Sequence, residues 1–273
     1  MFRDPRTNMQ FTHVTSPSYD QAVLPAFLIS ELQSEGIIRL GSAFDPSAAD
    51  AMRERVWREL SALGINEADR STWPSGRQGK AVGSSRLQAD SRFEAFWSKD
   101  VVAAVDALLG AGCWTRPAAV ELLLTFPEAD GPLRVLDPFH SDFAMDVSCE
   151  PLFAVNTFAF VGAVAPRSGG TLVIRGSHRV VQHYLSALPP GFPRNRAASQ
   201  FATDNPWLAS LGSFDDPVGV THDADGIDIG VEELIGEPGD VFIAHPWTLH
   251  AGITSRGTTP RMMLRHRILR SSQ

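Results

Sequence analysis

Lysine is nearly missing from this sequence: Lys80 and Lys99 are the only two among 24 basic residues, and the formal net charge is -7. A protein that grips nucleic acid needs a basic stripe to neutralise phosphates, and no run of Lys or Arg supplies one. A nucleic-acid partner is therefore not expected. Cysteine is as scarce. Cys113 and Cys149 are too few and too far apart for a disulfide framework or a thiolate zinc site, and they read as reduced thiols. Long apolar runs are missing too. Nothing approaches the roughly 20 residues of a bilayer span, and residues 1–6 have no apolar signal-peptide core. No membrane partner is expected, and the cytoplasm is the expected compartment. The glycine-rich stretch from Trp73 to Arg86 lacks a Gly-Lys-Ser/Thr ending and a flanking strand–helix pattern, so it is not a phosphate loop.

What is present favours short strands joined by turns. The chain carries 22 glycines and 19 prolines in 273 residues, a composition that disfavours a helical bundle. Residues 21–33 read as a short helix and 36–40 as a strand. Asp45 and Pro46 open a clearer helix as cap and first helical residue. Ala49, Met52, Val56, Leu60 and Leu63 form its apolar stripe and Gly64 its stop. A further helix runs from a Ser98 cap to Gly110, with Val101, Val102, Val105, Leu108 and Leu109 inward. The texture then changes to strands at 120–126, 152–164, 170–174, 241–244 and 262–268. Helices followed by runs of strands indicate α+β order with a sandwich or barrel in the second half. One domain is expected: helical support over about 20–112, a β core over about 118–270, and an aromatic-bearing insertion over about 183–237 lying across the barrel mouth. That insertion and the loop from Trp73 to Arg86 are the expected substrate-selecting segments.

The chemistry-bearing stretch is Phe139-His140-Ser141-Asp142. On a strand, residues i and i+2 share a face, so His140 and Asp142 are expected to point inward together. A third ligand must come from another strand, and His250 follows the strand that Gly239-Asp240 opens. Two imidazoles and a carboxylate on one side of an octahedral metal suit non-haem ferrous iron, with positions left for an organic acid and dioxygen. His-x-Asp alone is a weak signal. It gains weight from the ordered second element and from Arg261, eleven positions after His250.

The pattern resembles the phytanoyl-CoA dioxygenase-like family of iron(II)/2-oxoglutarate-dependent oxygenases. The resemblance rests on Gly36-Ile37-Ile38-Arg39-Leu40 followed by Phe44-Asp45-Pro46, on His140-Ser141-Asp142, on the run Pro166 through Arg179, and on Gly239 through His250 with Pro260-Arg261. It implies an α+β, mainly β fold: a double-stranded β-helix (jelly-roll, cupin-like) core flanked by N-terminal helices. It implies Fe(II) held by His140, Asp142 and His250, with 2-oxoglutarate and O2 as cosubstrates. Arg261 would anchor the distal carboxylate of 2-oxoglutarate, a task that suits a guanidinium fork. Arg265, on the same strand, is the competing anchor. Thr171 is a candidate hydrogen-bond donor to the cosubstrate, Arg86 a candidate basic group reaching into the pocket, and Phe158 a candidate lining residue. His178 and His245 read as packing residues, and His222-Asp223 as a solvated loop.

The implied reaction oxidises, by default hydroxylates, an unactivated C–H of a small, partly apolar molecule, with release of succinate and CO2. Asp142 argues against halogenation, because related halogenases carry a small residue in place of the ligand carboxylate. The scarcity of lysine makes an acyl-CoA less attractive as substrate. Two departures from the family pattern are Ser168-Gly169, where Asn-Gly is frequent, and Arg175, where Pro is frequent. Two rival readings stand beside this one: a cupin-like isomerase or hydrolase that does not use 2-oxoglutarate, and a non-catalytic jelly-roll binding protein.

Overall fold

The structure, a computed structural model, describes residues 23–74, 76–77, 90–118, 120–128, 132–145 and 151–271. Arg86, Lys80 and Cys149 lie outside the described residues, as does most of the loop from Trp73 to Arg86. Helix α1 (Val23–Glu35) leads into strand β1 (Ile37–Leu40), and α2 (Pro46–Ala62) follows. Asp45 caps α2, its carboxylate accepting from the Ser47 N–H at 2.8 Å, and Pro46 is the first helical residue. A short strand, β2 (Gly76–Arg77), precedes α3 (Lys99–Leu109). Ser98 caps α3 through the Val101 N–H at 3.2 Å, and Gly110 ends it at φ 91°. Both caps stand where the sequence places them. Leu63, expected on the buried stripe of α2, is exposed.

Among the described residues, ten strands form two antiparallel sheets. The larger has the order β1-β8-β4-β10-β3-β2, with β3 (Glu121–Phe126), β4 (Ala154–Phe160), β8 (Val241–Ala244) and β10 (Arg261–Leu269). The smaller has the order β6-β7-β5-β9, with β5 (Leu172–Arg175), β6 (Thr221–Ala224), β7 (Ile227–Glu233) and β9 (His250–Ala251). Period-two alternation sorts each strand into two faces. On β10, Met262, Leu264 and Ile268 join the core that α1, α2 and α3 cover. Met263 instead joins Phe158, Phe160 and Phe242 of its own sheet and Val173 of the other. That mixed cluster shows the sheets packed face to face. Arg261 and Arg265, two residues either side of Met263, therefore share the inner face.

The 183–237 segment differs from its expected form. Helix α4 (Ser177–Ala187) runs into it, and it contains α5 (Ala197–Asp204), α6 (Trp207–Leu211) and the β6–β7 hairpin. Phe201, Leu208 and Leu211 pack with Leu172 and Ile174, which alternate with the inward Val173. These helices thus cover the outer face of the smaller sheet. The hairpin belongs to the sheet itself, β7 pairing with β5.

The Gly239-Asp240 pair fixes where β8 begins. The buried Asp240 carboxylate accepts from Arg39 Nη2 at 2.6 Å, Ser42 N at 2.8 Å and Glu237 N at 2.9 Å. Gly239 sits at φ +96°, and a Cβ there would lie 2.4 Å from the Phe44 carbonyl oxygen. Only glycine satisfies both the left-handed backbone and the close approach. Gly239→Ala is expected to cost about 1–3 kcal/mol or more, read as a lower midpoint in urea unfolding.

His178, His245 and His266 are held uncharged by burial. Burial pushes His178 and His266 down to about 4 and His245 to about 3, with the neighbouring His178 adding to the last. Their folded values lie below the ordinary 6.5, so the unfolded chain binds more protons in between. Stability is therefore full above pH 6.5 and falls as pH drops toward 4. The single group His266 accounts for on the order of 3 kcal/mol over that window. His266 stacks on Phe96 at 4.2 Å. His266→Phe keeps a ring there and removes the titrating nitrogen, so it is expected to flatten the acid limb of thermal stability measured against pH.

Candidate metal centre

His140 and Asp142 are not brought together by strand alternation, contrary to the expectation. The chain from Arg134 to His140 runs antiparallel beside His250 to Thr254. Val135 bridges Ile253, and His140 bridges His250 through paired backbone bonds of 3.0 and 2.9 Å. Five residue steps on one side face three on the other, so the segment bulges at Asp137-Pro138. Proline fits there because it lacks the N–H that a ladder would need. Beyond His140 the chain bends. The Ser141 hydroxyl donates to the Pro246 carbonyl at 3.0 Å and accepts from Phe143 N at 3.2 Å, turning Asp142 back beside His250.

Three candidate ligand atoms, one each from His140, Asp142 and His250, lie within 4.8 Å of one another. His250 Nε2 is 3.1 Å from Asp142 Oδ2. Two adjacent ligands about 2.1 Å from a common metal stand about 3 Å apart, so this edge has the right length. The ring tautomers also fit. His140 Nδ1 lies 2.9 Å from the Pro138 carbonyl oxygen and His250 Nδ1 lies 3.1 Å from that of Thr248. A carbonyl only accepts, so each Nδ1 carries the proton and each Nε2 is left with a lone pair. His250 Nε2 is buried with no hydrogen-bond partner among the described residues. A lone pair facing a carboxylate oxygen at this distance calls for a cation between them. The donor set suits a divalent transition metal with open positions.

Asp142 is also held from behind. Arg265 Nη1 donates to both of its oxygens at 2.7 and 2.6 Å, and Asn156 Nδ2 donates to Oδ2. Burial pushes the Asp142 carboxyl up. Arg265 and Asn156, together with the His250 ring when it is protonated and donates to Asp142, outweigh that and hold it well below the usual carboxylate range. Glu121 in turn accepts from Arg265 Nη2 at 2.6 Å and Nε at 3.2 Å. The sequence reading missed Asn156 and Glu121. Asn156 was findable as an amide inside a mostly apolar strand, because a buried amide requires a partner.

Arg261 lies deeper. It is buried, donating to Thr125 Oγ1 at 2.6 Å and contacting Met263 Sδ at 3.7 Å. Phe158, fully buried, packs edge-on against His250 with centroids 5.6 Å apart. Thr171 is buried two residues before the inward Val173, its carbonyl accepting from Leu234 N at 2.9 Å. His178 and His245 pack against each other, centroids 4.8 Å apart, and neither belongs to the ligand cluster. His222 lies on β6 against Trp207 rather than in a loop. The structure thus gathers His140, Asp142 and His250 with Arg265 behind them.

The family model described as Phytanoyl-CoA dioxygenase (PhyH) matches residues 32–263. No curated protein matches the chain. Among solved structures, the fold is similar to the epimerase SnoN in complex with Fe3+, alpha ketoglutarate and nogalamycin RO. That match has TM-score 0.54 at 17% identity, over 91% of this chain and 84% of that one. It is also similar to the alpha ketoglutarate dependent carbocyclase SnoK from nogalamycin biosynthesis, with TM-score 0.56 at 13% identity over 93% and 87%. A third similar structure is AviO1 from Streptomyces viridochromogenes Tue57, with TM-score 0.56 at 16% identity over 93% and 96%. At these identities the likeness is one of fold.

Proposed function

The chain belongs to the phytanoyl-CoA dioxygenase family, and from that premise we propose that it hydroxylates an unactivated C–H bond of a small, partly apolar molecule. The family uses iron(II), 2-oxoglutarate and dioxygen. The observation that carries the reading is the gathering of one ligand atom each from His140, Asp142 and His250 within 4.8 Å of one another. His140, Asp142 and His250 would hold the iron, and the two face-packed sheets would be the double-stranded β-helix of a single domain. Bound iron with its cosubstrates supplies the oxidising power that breaks the C–H bond. In the balanced reaction, one atom of dioxygen enters the product and the other enters succinate as 2-oxoglutarate loses carbon dioxide.

The chain's own residues do the rest. Arg261 would grip the distal carboxylate of 2-oxoglutarate from the buried end of β10, where a guanidinium stays charged and its fork matches two oxygens. Thr171 would add a hydroxyl to that grip. Arg86 would supply a basic group reaching toward the cosubstrate. Phe158 orients the His250 ring and keeps water from one side of it. No helix among the described residues is long and apolar enough to cross a membrane, and we place the enzyme in the cytoplasm.

The reading is tested by oxygen-dependent conversion of 2-oxoglutarate to succinate by the iron-loaded chain, with candidate substrates scored by stimulation. A product that gains one oxygen supports hydroxylation. Loss of two hydrogens or an unchanged mass would replace that step with desaturation, cyclisation or epimerisation. A folded, iron-loaded chain that forms no succinate contradicts the proposal.

A further inference from the structure

Arg265 has no part in the reaction roles assigned so far, yet its Nη1 donates to both oxygens of the candidate ligand Asp142. It lies four residues after Arg261 on β10, so both side chains leave the same face about 13 Å apart along the strand. The two arginines meet different environments. Arg261 donates to the Thr125 hydroxyl at the buried end, whereas Arg265 stands between two carboxylates, Asp142 and Glu121. The Glu121 side chain is 44% exposed and that of Asp142 8%. Arg265 therefore spans from the solvent side to the metal ligand. Three of its donor nitrogens are engaged, Nη1 by Asp142 and Nη2 and Nε by Glu121. A guanidinium committed in this way is unsuited to anchor a cosubstrate.

We infer that Arg265 is the positioning residue for the carboxylate ligand, one end of a Glu121–Arg265–Asp142 brace completed by Asn156. The inference rests on the metal reading above and adds a division of labour along β10. Arg261 serves the cosubstrate and Arg265 serves the metal. The geometry carries the argument in three steps. Register places Glu121 directly opposite Arg265 on β3 and Phe158 opposite it on β4. Glu121 fixes the guanidinium plane. The guanidinium and the Asn156 amide, two residues from Phe158 on the same face, then fix the Asp142 carboxylate, both donating to the Oδ2 that faces His250. One Asp142 oxygen is thereby aimed at the His250 Nε2 lone pair, 3.1 Å away. Without the brace, Asp142 sits on an irregular bend with only Asn156 holding its rotamer.

The test reads metal binding and not turnover. Co(II) is titrated anaerobically into the full chain and followed by its visible d–d absorption, for wild type, Arg265→Gln, Arg265→Lys and Glu121→Gln. Arg265→Gln is expected to weaken Co(II) binding by about 10–100-fold, the range for loss of a partner that orients a metal ligand, and to alter the band shape. Arg265→Lys, which reaches Asp142 with one N–H but cannot also bridge Glu121, should fall between. Glu121→Gln should weaken binding in the same direction by less. If Arg265→Gln does not fold, the Lys and Glu121 variants decide, since both keep a polar group in place. Co(II) affinity and band shape equal to wild type in the variants overturn the inference and leave the metal reading standing. A folded wild-type chain that binds no Co(II) overturns the metal reading and this inference with it.

Discussion

Asp142→Ala will abolish oxidation and weaken iron(II) binding by more than about 100-fold, since losing a ligand costs more than losing the partner that orients one. The prediction follows from what Asp142 touches. Its oxygen forms one edge of the ligand cluster with His250 Nε2, and it supplies the only negative charge among the three ligands. Without it, two neutral imidazoles remain to hold a divalent ion. The fold is expected to survive, because Arg265 keeps Glu121 as an ionic partner. Isothermal titration with Fe(II) under argon measures the loss, and an unchanged melting curve separates it from unfolding. Wild-type affinity in Asp142→Ala would place the metal elsewhere.

Arg261→Ala will raise the concentration of 2-oxoglutarate needed for half-maximal turnover by about a hundredfold, while leaving iron(II) affinity unchanged. Truncating one partner of a buried charge pair costs roughly 3 kcal/mol, and each 1.4 kcal/mol is about tenfold. Arg261 is 3% exposed, so no solvent competes for its fork. The contrast with Arg265 sharpens the test. Steady-state kinetics against 2-oxoglutarate should move for Arg261→Ala, and metal titration should move for Arg265→Gln. The reverse pattern would exchange the two roles.

The helices on the N-terminal side were legible because their signals are local. Asp45, Pro46, Ser98 and Gly110 announce starts and stops within a few residues, and each acts at its place in the structure. Helices α4, α5 and α6 were not legible for the same physical reason inverted. They begin after Gly176, Arg196 and Pro206, none of which makes a side-chain capping bond, so their formation depends on burying Val181, Phe201 and Leu211 against the smaller sheet. The β6–β7 hairpin did leave a signal. Asp225-Gly226 is a turn dipeptide between Thr221-His222-Asp223-Ala224 and Ile227-Asp228-Ile229, and the surrounding prolines and glycines drew attention from it.

At the centre, the identity of the ligand residues was legible and the geometry was not. His140, Asp142 and His250 converge as the motif implies, but through a bulge at Asp137-Pro138 and a Ser141-stabilised bend. Arg265 shows the limit most clearly. In sequence it is one of several arginines on a C-terminal strand. Its partners stand 123 and 144 residues away, and only the register of β10 between β3 and β4 brings them together.

The most direct measurement adds iron(II) and 2-oxoglutarate to the folded chain without oxygen and records the visible spectrum. Chelation of iron by 2-oxoglutarate in a His-Asp-His site is expected to give a weak charge-transfer band that saturates with both components. The band should vanish in Asp142→Ala and require more 2-oxoglutarate in Arg261→Ala. A folded, iron-loaded wild-type chain that shows no band would contradict the account at its centre.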